Sequence, residues 1–234
     1  MKKYPRNDKI GLEVGDTHTI SFSFMGKDYT FEVRSQSEAN IAKSCIMYYR
    51  EMWEQHNLSK SDILLDIGAH VGFSSLPLSS IVSHVYAYEP SPANHALLVR
   101  NIQANYITNI TPVHKAISST SGVERFNLGV YGTTGHYLAS VGKKVGGVYT
   151  MVDTQSLDEI IDKYNINVIK MDAEGVEWEL FRECSNWSKI RLMVAELHKV
   201  DRHGFHNAES FLSKYSFQYT VKHSSWFSKL IAWR

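Results

Sequence analysis

The chain has 234 residues, 43% apolar and 21% charged, enough for one large globular α/β domain with a substantial core. A net charge of +1 gives no case for a nucleic-acid footprint, which normally shows as a strongly basic patch or stripe. No run approaches the ~18 apolar residues of a membrane span, and "MKKYPRNDK" leads into no apolar signal-peptide core, so a soluble cytoplasmic protein without nucleic-acid or membrane partners is expected. Cys45 and Cys184 match no metal or redox spacing and read as reduced, partly buried thiols.

Residues 1 to 16 carry little periodic signal. "HTISFSFMGKDYTFEVR" alternates apolar and polar residues on both sides of "MGKD", which predicts a hairpin. "SEANIAKSCIMYYREMWEQH" sets Ile41, Cys45, Tyr48 or Tyr49 and Met52 at helical spacing and predicts an amphipathic helix. Residues 1–60 thus read as an N-terminal appendage on a domain covering 61–234.

From Asp62 strands and helices alternate. "DILLDIG" is a nearly continuous apolar strand of the kind buried on both faces of a parallel sheet, and "VYAYEP" is a second. "SPANHALLVRNIQAN" predicts a helix with Ser91 as N-cap and Pro92 at its first position. "NITPVHKAIS" reads as one strand, and "SLDEIIDKYN" as a helix with a Ser156–Glu159 capping box. The segment over 129–150, with six glycines and no period, is either a flexible excursion or a glycine-softened hairpin. "NVIKMDAEG" and "IRLMVAELH" are strands around the helix "VEWELFRECSNW". "NAESFLSKYS" is a helix capped by Asn207, and the tail "FQYTVKHSSWFSKLIAWR" is two closely joined strands, one necessarily antiparallel. The pattern predicts an α/β fold: an open, mostly parallel sheet of seven strands with helices on both faces and ligands at the strands' carboxyl ends.

"ILLDIGAHVGFSS" ends a strand in Asp66, turns at Gly68 and leads toward a helix near Gly72, so backbone N–H groups and a carboxylate face one place. Glu89 closes the next strand 23 positions after Asp66, where an acid accepts the hydroxyls of an adenosine ribose. NAD and S-adenosylmethionine both carry adenosine. A pyrophosphate wants a glycine at the third motif position, which His70 occupies here. A phosphate-free ligand needs no such clearance, and the carboxylate of its methionine part could take the turn amides while Asp66 or backbone carbonyls hold its amino group. The residues favour S-adenosylmethionine over NAD.

In chain order, "DIGAHVG", "YEPSPANHALLVRNIQAN", "SLDEII", "KMDAEGVE" and "AELH" resemble the FkbM-type methyltransferases, a family of class I S-adenosylmethionine-dependent enzymes, over about 62–198. The resemblance implies the class I methyltransferase Rossmann-like fold, whose sheet ends in an antiparallel hairpin. It also implies that Asp66, Gly68, Ala69, His70 and Gly72 surround the methionine part of the cofactor, that Glu89 holds the ribose, and that Lys115 and Ala116 border the adenine. The family usually has Asn where this chain has His70, and Pro77 interrupts the following helix, which should be short or kinked.

"KMDAEG" and "AELH" should end neighbouring strands, bringing Asp172, Glu174, Glu196 and His198 to the sheet's carboxyl edge as candidate catalytic residues. Methylating an alcohol requires a base or a cation that acidifies the hydroxyl. Asp172 and Glu196 are the candidate ligands for Mg2+, by likeness to class I enzymes that hold a metal there. Glu174, Glu196 or His198 is the base otherwise, and acids such as Glu174 and Glu177 would also suit a first helical turn with no chemistry at all. The histidines of "HKVDRHGFH" (His198, His203, His206) fit no standard zinc spacing. The expected activity is methylation of an oxygen of a small molecule or carbohydrate. Its rivals are an NAD-dependent oxidoreductase and a non-catalytic nucleotide-binding module.

Overall fold

The computed structural model of the protein describes residues 19–127, 137–138, 149–198, 204–224 and 227–234. The first alternating stretch forms an antiparallel hairpin of β1 (Thr19–Phe24) and β2 (Lys27–Glu32). Its turn is Met25–Gly26 alone, both at positive φ (52° and 76°), a two-residue connection whose twist matches the strands. Lys27 and Asp28 of the expected turn belong to β2. Ile20, Phe22, Phe24, Tyr29 and Phe31 are all buried, as a period of two requires when one face is covered.

Helix α1 (Gln36–Glu54) follows, capped by the Ser35 hydroxyl, which accepts the Glu38 N–H at 3.2 Å. Its buried residues include Ala39, Ala42, Ile46 and Trp53. Ile41 and Cys45, expected on the buried stripe, are only half-buried and line a cavity instead. The side chains of Tyr48, Tyr49 and Met52 lie outside the described residues.

Strands and helices then alternate through β3 (Ile63–Ile67), α2 (Ser75–Ser79), β4 (His84–Tyr88), α3 (Pro92–Ala104) and β5 (Ile110–Val113). Next come β6 (Ala116–Ser118), β7 (Gly122–Asn127), β8 (Tyr137–Leu138) and β9 (Tyr149–Ser156). The alternation resumes with α4 (Leu157–Tyr164), β10 (Val168–Met171), α5 (Glu177–Glu183), β11 (Leu192–His198), α6 (Gly204–Lys214), β12 (Gln218–His223) and β13 (Phe227–Trp233). The main sheet has the order β12-β13-β11-β10-β3-β4-β5, and only β13 runs against its neighbours. One face is covered by an apolar cluster with Phe181, Trp187 and Phe211, the other by a cluster joining β1, β2 and α1 to Leu64, Val168 and Val194. The boundary read near residue 60 falls between α1 and β3, and the second cluster spans it.

Three local expectations change, and a fourth falls mostly outside the described residues. "NITPVHKAIS" is two strands: β5 ends the main sheet and β6 pairs with β9 in a second sheet of order β6-β9-β7-β8. β7 and β9 pair antiparallel from Gly122↔Thr154 to Asn127↔Tyr149, so hairpin arms flank the glycine-rich segment, most of which lies outside the described residues. The Ser156–Glu159 capping box is relayed: Ser121 Oγ accepts the Ser156 N–H at 3.0 Å and donates to Glu159 at 2.6 Å. α6 begins at Gly204, which puts Asn207 inside it rather than at its cap. Helix α2 has only five residues around Pro77, the shortening that the proline predicts.

Two asparagines of α3 attach the hairpin. Asn105 accepts the Thr30 N–H (2.8 Å) and donates to Thr30 O (2.6 Å), while Asn101 accepts the Glu32 N–H (2.8 Å) and donates to Glu32 O (3.2 Å) and to Val71 O (3.0 Å). Four helical residues advance about 6.0 Å and two strand residues about 6.8 Å, so these amides meet alternate peptides of β2 as a neighbouring strand would. A strand edge that would otherwise need water is satisfied, and the glycine turn after β3 is tied to it.

Candidate active site

At the carboxyl ends of β3, β4 and β10 lies a cavity of about 910 Å3, its open mouth included. Of the residues expected around a cofactor, Gly68, Ala69, His70, Glu89, Lys115 and Ala116 line it. Asp66 and Gly72 are not among the lining residues. Gly68 has φ +75°, and a Cβ there would lie 2.0 Å from the Asp172 carbonyl oxygen, so glycine lets the turn press against the end of β10. At Gly72 (φ +100°) a Cβ would meet Leu76 at 2.4 Å, so this glycine serves the packing of the turn on α2.

The turn amides are already engaged. Gly68 and Ala69 both donate to Tyr88 O at 3.0 Å, and His70 N–H donates to Glu89 Oε2 at 2.8 Å. The expectation that these amides take a methionine carboxylate is therefore replaced: they bind the end of β4. A cation stands close by instead. Lys170 lines the cavity, and its Nζ lies 3.0 Å from Asp66 Oδ1 and donates to Gly68 O at 2.7 Å. Asp66 is fully buried and also accepts the Ser75 hydroxyl at 2.6 Å. Burial alone would lower the Lys170 pKa, but the Asp66 and Asp172 charges outweigh it and raise it. Asp66 thus acts beneath the cavity, neutralising Lys170 and fixing the turn.

Glu89 is buried where it borders the cavity. Its Oε1 accepts Ser91 N–H (2.8 Å) and Asn94 Nδ2 (3.3 Å), and its Oε2 accepts His70 N–H. Ser91 holds the N-cap position of α3 without a side-chain cap bond, and its own N–H goes to Glu89. Burial lifts the Glu89 pKa to about 7 in spite of these three donors. His70 adopts φ +51°, a left-handed conformation in which Asn and His are enriched, which accounts for either residue at this position. Its ring lies 3.4 Å from Glu38 and near Phe73. Burial depresses its pKa to about 4, the Glu38 charge opposing only in part, so it is neutral.

The second cluster forms the rim. Glu174, at φ +56° in the turn before α5, places Oε2 3.4 Å from His198 Nε2, with Asp172 Oδ1 3.9 Å from the same nitrogen. Glu177, fully buried, sits 3.1 Å from His198 Nδ1 and accepts the Ala173 N–H at 3.0 Å. Burial works against a charged His198, yet the Glu177 bond and the Glu177, Asp172 and Glu174 charges lift its pKa to about 9. Glu196 stands apart: Lys229 Nζ is 3.4 Å away, and burial followed by the Asp172 charge raises its pKa. The described groups able to hold a metal are therefore Asp172, Glu174 and His198, a different set from the Asp172–Glu196 pair. His203 and the side chain of His206 lie outside the described residues.

Sequence reasoning missed Lys170, Ile41, Cys45, Phe126 and the orienting role of Glu177. A lysine inside the otherwise apolar "NVIKM" and an aspartate inside "ILLDI" were a readable signal, since buried charges on neighbouring strands require partners. Nothing local in "SCIMYY" tells that Cys45 turns to the cavity, where burial pushes its thiol up to about 12.

No described helix is long and apolar enough to cross a membrane. No curated protein matches the chain in sequence. Among solved structures it is similar to methyltransferase FkbM from Methylobacillus flagellatus KT, at 19% identity and TM-score 0.52, over 83% of this chain and 52% of that one. It is also similar to the 16S rRNA methyltransferase RsmC of T. Thermophilus, solved with AdoMet and guanosine, at 13% identity and TM-score 0.51, over 92% and 50%. The chain spans about half the length of each, and both likenesses concern the fold. The Methyltransferase FkbM domain matches residues 66–219, about two thirds of the chain. With the strand order and closing antiparallel strand described above, the chain belongs to the FkbM family of S-adenosylmethionine-dependent methyltransferases and has their class I fold.

Proposed function

We propose that the protein methylates an oxygen of a small-molecule or glycan hydroxyl with S-adenosylmethionine as donor. The observation that carries the donor assignment is Glu89: a buried carboxylate at the end of β4, bordering the cavity beside the β3 turn, whose His70 N–H it accepts. Its Oε2 accepts one N–H, which leaves a lone pair for a ribose hydroxyl. Lys115, Ala116, Ile117 and Phe126 offer a mostly apolar border for the adenine. When bound, S-adenosylmethionine supplies an electrophilic sulfonium methyl group, which passes to the acceptor oxygen as its bond to sulfur breaks.

The rim is suited to a hydroxyl acceptor. Asp172 and Glu174 are partly exposed carboxylates beside the cavity that can accept a hydroxyl hydrogen bond and its proton. His198, held protonated near neutral pH by three acids, orients these carboxylates and is not itself the base. Glu196, paired with Lys229, is a step further away. Much of the rate would come from aligning acceptor and donor. The test is to supply isotopically methyl-labelled S-adenosylmethionine with a panel of glycosides, phenols and amines, and to locate the label by NMR. Label on an ether oxygen is expected; label confined to nitrogen would reject the oxygen assignment.

A further inference from the structure

We infer that Asp172, Glu174 and His198 form a binding site for one divalent cation of the transition series, such as Mn2+, Co2+ or Zn2+. The three side chains each offer one ligand atom within 4.8 Å of the others. His198 Nε2 stands 3.4 Å from Glu174 Oε2 and 3.9 Å from Asp172 Oδ1, and an ion bound there replaces the proton that Nε2 otherwise carries. Two ligands each about 2.1 Å from a metal are roughly 3.0 to 3.4 Å apart at octahedral and tetrahedral angles, so only small rotations are needed to close this set on an ion.

Two further observations point to an ion. Glu177 Oε1 lies 3.1 Å from His198 Nδ1, which directs Nε2 toward the two carboxylates. A buried carboxylate on the far nitrogen of a histidine is the arrangement that orients and strengthens an imidazole metal ligand. Glu177 is 0% exposed, and its Oε2 has no hydrogen-bond partner among the described residues. Three carboxylates around one imidazole also concentrate negative charge at a point open to the cavity. Among the described residues, Lys170 and Lys229 are bonded to Asp66 and Glu196.

The ligand types set the class of ion. Magnesium prefers oxygen donors throughout, whereas one imidazole with two carboxylates suits manganese, cobalt or zinc and leaves positions for water or an acceptor hydroxyl. This differs from the Mg2+ site on Asp172 and Glu196 expected from the sequence. An ion here would lower the pKa of a coordinated hydroxyl beside the donor cavity; that consequence rests on the methyl-transfer reading, while the binding does not.

The full chain, freed of metal by a chelator and without S-adenosylmethionine, is titrated with MnCl2, and free Mn2+ is followed by electron paramagnetic resonance. One equivalent bound, with Mg2+ at least tenfold weaker in competition, is expected. Glu174→Gln and His198→Asn should each weaken Mn2+ at least tenfold and Glu177→Gln by about 10- to 100-fold, while Glu196→Gln stays within twofold. Circular dichroism confirms that each variant is folded, and any that is not is replaced by the milder Asp172→Asn. No Mn2+ uptake, equal or tighter Mg2+ binding, or uptake unchanged in Glu174→Gln and His198→Asn overturns the site. Because donor and acceptor are absent, either result leaves the methyl-transfer reading to its own test.

Discussion

At the floor of the cleft, Asp66 and Lys170 are 0% and 3% exposed, and each answers the other across 3.0 Å. At the rim, Asp172 and Glu174 are 31% and 28% exposed and gather with Glu177 around one imidazole. Both places hold carboxylates on adjacent strand ends, yet their electrostatics differ. The floor is closed and neutral as a pair, so its charges hold the β3 turn against β10. The rim is open and carries more acid than base, so its charges face whatever enters. The buried Asp66–Lys170 pair serves architecture, and the partly exposed acids of the rim are the candidates for taking a proton.

The largest expected effect is at the floor. Lys170→Met leaves Asp66 buried with only the Ser75 hydroxyl and should cost about 3–5 kcal/mol in urea unfolding. Asp172→Asn, at the partly solvated rim, should cost no more than about 1 kcal/mol. Equal losses would erase the distinction between the two regions.

The next effect is a pH dependence belonging to the rim. The folded-state pKa of His198, about 9, lies above its ordinary 6.5. Its contribution to stability is therefore complete below pH 6.5 and is lost as pH rises through 9. A decline of about 2–3 kcal/mol over that window is expected. Denaturation followed from pH 6 to 10 should show it, and His198→Asn should remove it. A wild-type profile that stays flat would mean that the three carboxylates do not hold the proton.

The smallest effect, and the sharpest for function, is at Glu89. Glu89→Gln exchanges a charged acceptor for a neutral one and should weaken S-adenosylhomocysteine about tenfold. Because the free protein's Glu89 titrates near 7, ribose hydroxyls that favour the carboxylate should bind more tightly as pH rises from 6 to 8. Calorimetry at those two values would show the gain, and an affinity independent of pH in the wild type would detach Glu89 from the ribose.

How much of this was legible beforehand depended on the range of the interaction. Alternation in "ISFSF", the apolar run "ILLDI", Pro92 at a helix start and the closing pair of strands are local patterns, and the main-sheet elements follow them. The cavity residues Gly68, Ala69, His70, Glu89, Lys115 and Ala116 were legible through the order of the motifs. The rest needed contacts distant in sequence. Ser121 relays the Ser156 cap from 35 residues away. Tyr88 O takes the turn amides that a ligand was expected to take. Glu174 joins Asp172 and Glu177 around His198 and Glu196 does not, because Glu174 turns back at positive φ while Lys229, arriving from β13, holds Glu196. Even the paired asparagines of α3, visible as part of the family pattern, gain their reason only when β2 lies beside them.

The central claim is that the cavity bordered by the β3 turn and Glu89 binds an S-adenosyl ligand. Calorimetric titration of the protein with S-adenosylhomocysteine and with NAD, under one set of conditions, tests it most directly. Saturable one-to-one binding of S-adenosylhomocysteine, weakened by Glu89→Gln, with no heat from NAD, is predicted; saturable NAD binding with none for S-adenosylhomocysteine would contradict it.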